Sequence, residues 1–217
     1  MRGMTSIRVL LLTSSRTRAF REAYAIYETA IPRGEQKTRA QIVAGLKHPG
    51  FRYWAFEYEG EIAGIAILYA SEAQQALLLE YLAVSPKLQG KGLGSQLFRA
   101  AFEASRTDPR MLLLIEVDSE KDKVSEKEKR IRLSRKQFYR RLGCLELDGF
   151  DYILPLENYG PPPRMSLLVL GAKGSSIETA RLRRAVQDVY VNVYKCDPSD
   201  PRLDRMFEGH RRSIQLV

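Results

Sequence analysis

Residues 76 to 106 constrain this chain most. The run Ala76-Leu77-Leu78-Leu79-Glu80-Tyr81-Leu82-Ala83-Val84 is followed by a Ser85-Pro86 break. The loop Gln89-Gly90-Lys91-Gly92-Leu93-Gly94 comes next, and then an amphipathic stretch. This reads as a buried strand, a glycine-rich turn and a helix. Glycines let backbone N–H groups approach a phosphate closely, and a helix N-terminus adds partial positive charge. The pattern therefore points to a cofactor that carries a diphosphate.

Spacing narrows the choice. A Walker A loop needs Gly-Lys followed by Ser or Thr, and Lys91 is followed by Gly92. A dinucleotide fingerprint, G-x-G-x-x-G, fits Gly90 and Gly92 but would place its third glycine at Ser95. The remaining pattern, Gln-x-x-Gly-x-Gly after a strand ending in Val84, resembles the acetyl-CoA loop of the GNAT superfamily of N-acetyltransferases. That family's pattern is Arg/Gln-x-x-Gly-x-Gly/Ala, and Gln89, Gly92 and Gly94 stand at its defining positions.

The rest of the composition excludes several classes. Two cysteines, Cys144 and Cys196, make neither a disulfide framework nor a four-ligand zinc site. Two histidines, His48 and His210, argue against a histidine-based metal or triad site, so no metal is expected. The apolar run Val9 to Leu12 is too short for a signal-peptide core, and no segment approaches the ~18 apolar residues of a membrane span. A soluble, cytoplasmic protein is expected. The formal charge of +9 is concentrated in residues 120–141, where ten basic residues meet four acidic ones. That segment reads either as an attraction for anions, nucleic acid or coenzyme A phosphates, or as a solvated helix with pairs such as Glu126–Arg130. Aromatic residues enter it only at Phe138 and Tyr139, which argues against a single-strand stacking platform.

Along the chain, Ile7 to Leu12 reads as a strand. Phe20, Tyr24 and Tyr27 mark a helix over 17–30 that Pro32 ends, and a second helix covers 37–47. Phe51–Tyr58 and Glu61–Ala70 form a hairpin about Glu59-Gly60. After the glycine loop and its helix, Met111–Val117 is a buried strand. A charged connection then leads to a helix capped by Gly143. Short apolar pieces at 144–147 and 151–154 precede the stiff break Pro161-Pro162-Pro163, a strand at Met165–Leu170 and a helix through Leu182, Val186, Val189 and Val193. This element order resembles the GNAT layout over residues 5–170. It implies an α/β fold with a mixed, mostly antiparallel central sheet flanked by helices and a C-terminal strand and helix extension. Residues 1–170 are read as the acetyltransferase domain, and 171–217 as a helical extension packing on it.

Acetyl transfer to an amine needs a neutral amine, N–H donors for the oxyanion and a proton for the thiolate. For the cofactor, the backbone of Gln89, Gly90, Lys91, Gly92, Leu93, Gly94 and Ser95 is expected around the pyrophosphate. By resemblance, Leu82, Ala83 and Val84 pair with the pantetheine arm and offer an N–H to the thioester carbonyl. The family often carries Tyr-x-x-x-Gly-Phe at the end of the later helix. Tyr139 and Gly143 match it, and Cys144 replaces the Phe. Tyr139 is thus the candidate acid, with core packing as the plainer reading. Arg132 stands where the family often has Asn.

Glu80 interrupts an apolar strand and, by alternation, faces with Leu78, Leu82 and Val84. A carboxylate there should have a raised pKa, suited to a base, unless it serves a structural ion pair. Glu116 is the second candidate base, and a water-mediated base is a third. Glu28 and Glu35, in the segment where the family places its acceptor loop, are candidate substrate-binding residues for a cationic amine. Tyr152 and Tyr159 are candidates for the acceptor side. The reading is an acetyl-CoA-dependent N-acetyltransferase that acts on a small-molecule or peptide amine by direct ternary-complex transfer. A dinucleotide-binding oxidoreductase, with Glu116 as its ribose acid, and a nucleic-acid module built on residues 120–141 are the alternatives.

Overall fold

A computed structural model describes residues 7–155 and 164–217. The Pro161–Pro163 break and Tyr159 lie outside the described residues. The chain forms two compact units, one of Met1–Ala70 with Leu79–Arg106, the other of Ser71–Leu78 with Thr107–Val217. The fold is mixed α/β, with a mostly antiparallel sheet flanked by helices.

The first unit begins with β1 (Arg8–Leu11), which pairs antiparallel with β2 (Phe51–Tyr58). Between them lie α1 (Arg18–Ala30) and α2 (Arg39–Gly45). Thr17 caps α1 by accepting from the Phe20 N–H at 3.1 Å. Phe20, Ala23, Ile26 and Tyr27, at helical spacing, are its buried face. A capping box of Thr38 and Gln41 starts α2. β2 turns at Glu59-Gly60, both with positive φ as a two-residue hairpin loop demands, into β3 (Glu61–Ser71). One apolar cluster, including Phe20, Tyr27, Ile42, Tyr53, Ile65 and Ala83, joins α1 and α2 to the strands. β4 (Ala76–Val84) contributes its residues from Leu79 onward to this unit, followed by α3 (Leu93–Ser105).

In the second unit the first residues of β4, Ala76–Leu78, pair in parallel with Leu112–Leu114 of β5 (Leu112–Asp118). β8 (Arg164–Leu170) runs antiparallel to β5, and β6 (Leu145–Glu146) and β7 (Tyr152–Ile153) pair with β8. α4 (Glu126–Arg141) has Glu126 and Glu128 in its first turn and Arg140 and Arg141 in its last, each complementing the helix dipole. It closes in a Schellman arrangement. The Cys144 N–H donates to the Tyr139 carbonyl, the Gly143 N–H donates to that of Arg140, and Gly143 has φ +93°. The chain after residue 170 holds α5 (Thr179–Asn192) and α6 (Pro201–Phe207). It also holds a two-stranded sheet of β9 (Ser176–Glu178) and β10 (Ser213–Gln215) that the sequence reading lacks. No helix among the described residues is long and apolar enough to cross a membrane.

Candidate active site

The glycine loop has the geometry that anion binding requires. A short 3-10 turn, Pro86–Leu88, carries the chain from β4 to Gln89, whose side-chain amide lies 3.5 Å from the Val84 carbonyl. Gly90 and Gly92 adopt φ +79° and +75°, a region in which an L side chain is strained. Gly92 is the N-cap of α3, so no side chain caps the first N–H groups of that helix. A Cβ placed on Gly90 or Gly92 would meet nothing within 4 Å. Uncapped N–H groups beneath open space, with bare glycine backbone at their edge, fit a diphosphate.

Glu80 lies deeper in the same unit. Its side chain is only 6% exposed, and its Oε1 accepts from the Lys37 ammonium. Its Oε2 is buried without a hydrogen-bond partner. Burial holds the carboxyl above its ordinary 4.5, against the opposing pull of Lys37. Three phenols, Tyr27, Tyr53 and Tyr81, are raised by burial, with the Glu80 charge adding to each. Strict alternation does not describe this place. Glu80 and its neighbour Tyr81 both reach the segment before α2, Glu80 through Lys37 and Tyr81 by donating its hydroxyl to the Glu35 carbonyl at 2.7 Å. Tyr81 packs edge-on to Tyr27, and the Tyr27 hydroxyl accepts from the Lys37 N–H at 2.7 Å. The loop bearing Glu35 is thereby fixed to β4. Glu28, near the end of α1, and Glu35, on that loop, are exposed. Lys37 carries no sequence signal that ties it to Glu80, 43 positions away.

In the second unit, Tyr139 sits on the last turns of α4 against Phe138, and burial pushes its phenol up to about 12. That is well above the ~10 of a free tyrosine assumed from sequence. Glu116 accepts hydrogen bonds from two phenols, Tyr152 on Oε1 and Tyr194 on Oε2. Tyr152 is buried in this contact. Arg132 binds the Ser119 carbonyl at 3.0 Å, Glu128 at 3.2 Å and Asp122 at 3.4 Å, pinning the β5–α4 connection.

The rest of the basic segment is neutralised in part, with Lys121, Lys123, Lys127, Arg130 and Arg141 outside its ion pairs among the described residues. Lys129 pairs with Glu126, Arg135 with Asp118, and Arg140 with Glu146. The expected Glu126–Arg130 pair is replaced by Glu126–Lys129, one residue closer on the helix. Lys136, read from sequence as part of a solvated face, is instead buried between Glu120 and Glu146.

Residues 49–143 match the family model of the acetyltransferase (GNAT) domain. No curated protein matches the chain. Among solved structures, one described as a GNAT-family acetyltransferase from Bacteroides thetaiotaomicron is 18% identical. It aligns over 88% of this chain and 99% of its own with a TM-score of 0.69. A GNAT-family acetyltransferase from Elizabethkingia anophelis with acetyl-CoA bound is 18% identical, covering 76% and 97% at a TM-score of 0.51. A spermidine N-acetyltransferase chimera from Vibrio cholerae and hSSAT is 14% identical, covering 76% and 94% at a TM-score of 0.56. At these identities the structural likeness establishes the fold. The match to the acetyltransferase (GNAT) domain model spans residues 49–143, and the likeness to the solved structures is one of fold.

Proposed function

We propose that the chain moves an acetyl group from acetyl-CoA to a primary amine by direct transfer in a ternary complex. The observation that carries this reading is the loop from Gln89 to Ser95. Its uncapped helix start and left-handed glycines lie inside the family match. When bound, acetyl-CoA supplies the acetyl group as a thioester. The loop N–H groups hold the diphosphate, with Lys91, exposed on the loop, as an additional cation. Leu82, Ala83 and Val84, beyond the Ala76–Leu78 ladder to β5, offer backbone groups to the pantetheine arm and to the carbonyl oxygen.

Glu80 takes the proton of the amine. A carboxylate raised by burial is a stronger base than a solvated one, and its free Oε2 is an acceptor in place. Tyr139 Oη holds the proton that the departing thiolate needs. With its phenol near 12 and a thiol at ~8.5, complete transfer is uphill by roughly 5 kcal/mol. Tyr139 therefore acts chiefly as a hydrogen-bond donor. Glu28 and Glu35 attract a cationic acceptor at the mouth. Spermidine, named for one structural relative, belongs to this class of acceptor. Residues 1–170 form the transferase domain, and 171–217 form an extension packed on it.

The match to the acetyltransferase (GNAT) domain model favours this reading over the oxidoreductase alternative. The test is a panel of amines with acetyl-CoA, read by intact product mass. In parallel, acetyl-CoA at a hundredfold excess over Kd should stabilise the protein by about 2.7 kcal/mol. Stabilisation by NAD but not acetyl-CoA would overturn the proposal.

A further inference from the structure

We propose that Glu80 and Phe51 form a binding site for the ammonium end of a straight-chain alkylamine, and that the side chain of Lys37 occupies it as an internal stand-in until the acceptor displaces it. This deepens the proposed function and rests on its assignment of Glu80 to the acceptor amine.

Lys37 reaches the site as a ligand would. Its ammonium contacts Glu80 Oε1 and lies 4.9 Å from the centre of the Phe51 ring, over its face, so carboxylate and aromatic ring hold the cation together. A four-carbon arm leads from that ammonium out to the chain. The arm is 25% exposed, whereas Glu80 is 6% exposed, so a path to solvent exists along the lysine itself. The backbone at this point is fixed independently of the side chain. The Lys37 N–H donates to Tyr27, and the next residue begins the capping box of α2. Release of the ammonium therefore leaves the loop in place.

The site also favours a free amine over the tethered one. Lys37 engages Oε1 while Oε2 stays buried without a partner, an arrangement that costs the desolvation of one acceptor. A diffusible ammonium has three donors and no backbone tether, and can bridge both oxygens. The class of ligand follows from what already fits: an unbranched aminoalkyl group, with the cation in the aromatic and acidic end and the methylenes along the exit. A branched or quaternary ammonium has no such fit.

The test uses n-propylammonium, which replaces the atoms that Lys37→Ala removes, with tert-butylammonium as control. In Lys37→Ala, n-propylammonium should raise the melting temperature saturably by about 2–4 °C. Tert-butylammonium should not, and Lys37→Ala/Glu80→Gln should respond to neither. In the unsubstituted protein with 13C-labelled lysine, n-propylammonium should shift the Lys37 Cε resonance saturably as the ammonium leaves Glu80. That second measurement stands even where Lys37→Ala fails to fold. An unmoved Lys37 resonance overturns the inference, as does equal response of the single and double variants. Neither arm contains acetyl-CoA. Amine binding without transfer would count against the proposed function alone, and transfer without any amine response would count against this site alone.

Discussion

Two lysines of this chain are drawn into the protein by carboxylates, and the two places differ in one respect. Lys136, 3% exposed, lies 2.6 Å from Glu120 and 2.9 Å from Glu146, and donates to Ser166 Oγ at 3.0 Å. Arg140 takes the other oxygen of Glu146 at 2.8 Å. Burial alone would raise Glu120 and Glu146, yet the bonds and charges brought by Lys136 hold both below 4.5. At Lys37 a single lysine meets a single carboxylate, one oxygen is left over, and burial wins: Glu80 is raised. Glu120 Oε2 has the Lys136 charge beside it without a hydrogen bond, whereas a carboxylate with donors on both oxygens, as Glu146 has, is a staple and a poor base. One that is desolvated and half-satisfied is a base held ready. Glu116, with a phenol on each oxygen, belongs with the staples. By this criterion Glu80 is the better candidate for the base.

The sharpest way to break the contrast is Glu80→Gln. Loss of a positioned base should lower kcat/KM roughly 10²- to 10⁴-fold, with part of the rate returning at high pH, where more of the amine is already neutral. Stopped assays across pH 6 to 10 read this, and a rate equal to the parent's would make Glu80 a staple too. Lys136→Met should act in the opposite manner. Leaving two carboxylates without their shared cation costs about 3–5 kcal/mol in urea unfolding, while the folded fraction keeps its kcat. A cost under about 1 kcal/mol would mean that the cluster is not structural.

Tyr139→Phe should reduce kcat about 100-fold, the low end for an acid. With its phenol at about 12, no descending limb from this residue should appear in the parent's profile up to pH 10. Gly92→Ala introduces a Cβ at φ +75° and should cost about 1–2 kcal/mol in local strain, weakening acetyl-CoA in calorimetric titration. Affinity equal to the parent's would remove the loop from the site.

The sequence carried the first unit far. Pro32, the Glu59-Gly60 turn and the spacing of Phe20, Tyr24 and Tyr27 are local signals, and the elements start and stop near them. The strand–loop–helix from Ala76 to Ser105 was equally legible, because its chemistry is backbone chemistry, written in glycines. Lys37 was not, since an ion pair across 43 positions leaves no period or motif. Burial of Lys136 was missed for the same reason, as its partners come from Glu120, Glu146 and Ser166 on three separate stretches. After residue 170, β9 and β10 have three residues each, too few for alternation to register. α6 was not read either, because its seven residues are too short for a periodic stripe, although Asp200 caps it and Pro201 stands in its first turn.

The pH dependence of stability separates the two places by sign. Glu80, with a raised folded pKa, contributes stability that is fully present below 4.5 and lost as pH rises through its folded value. Glu120 and Glu146, with lowered values, contribute above 4.5 and lose that contribution as pH falls through theirs. The most direct measurement is a site-resolved 13C titration of the glutamate side-chain carboxyls in the unliganded protein. Glu80 should titrate with a midpoint above 4.5, and Glu120 and Glu146 with midpoints below it. A Glu80 midpoint at or below 4.5 would contradict the account, because the carboxylate would then be one more satisfied ion pair.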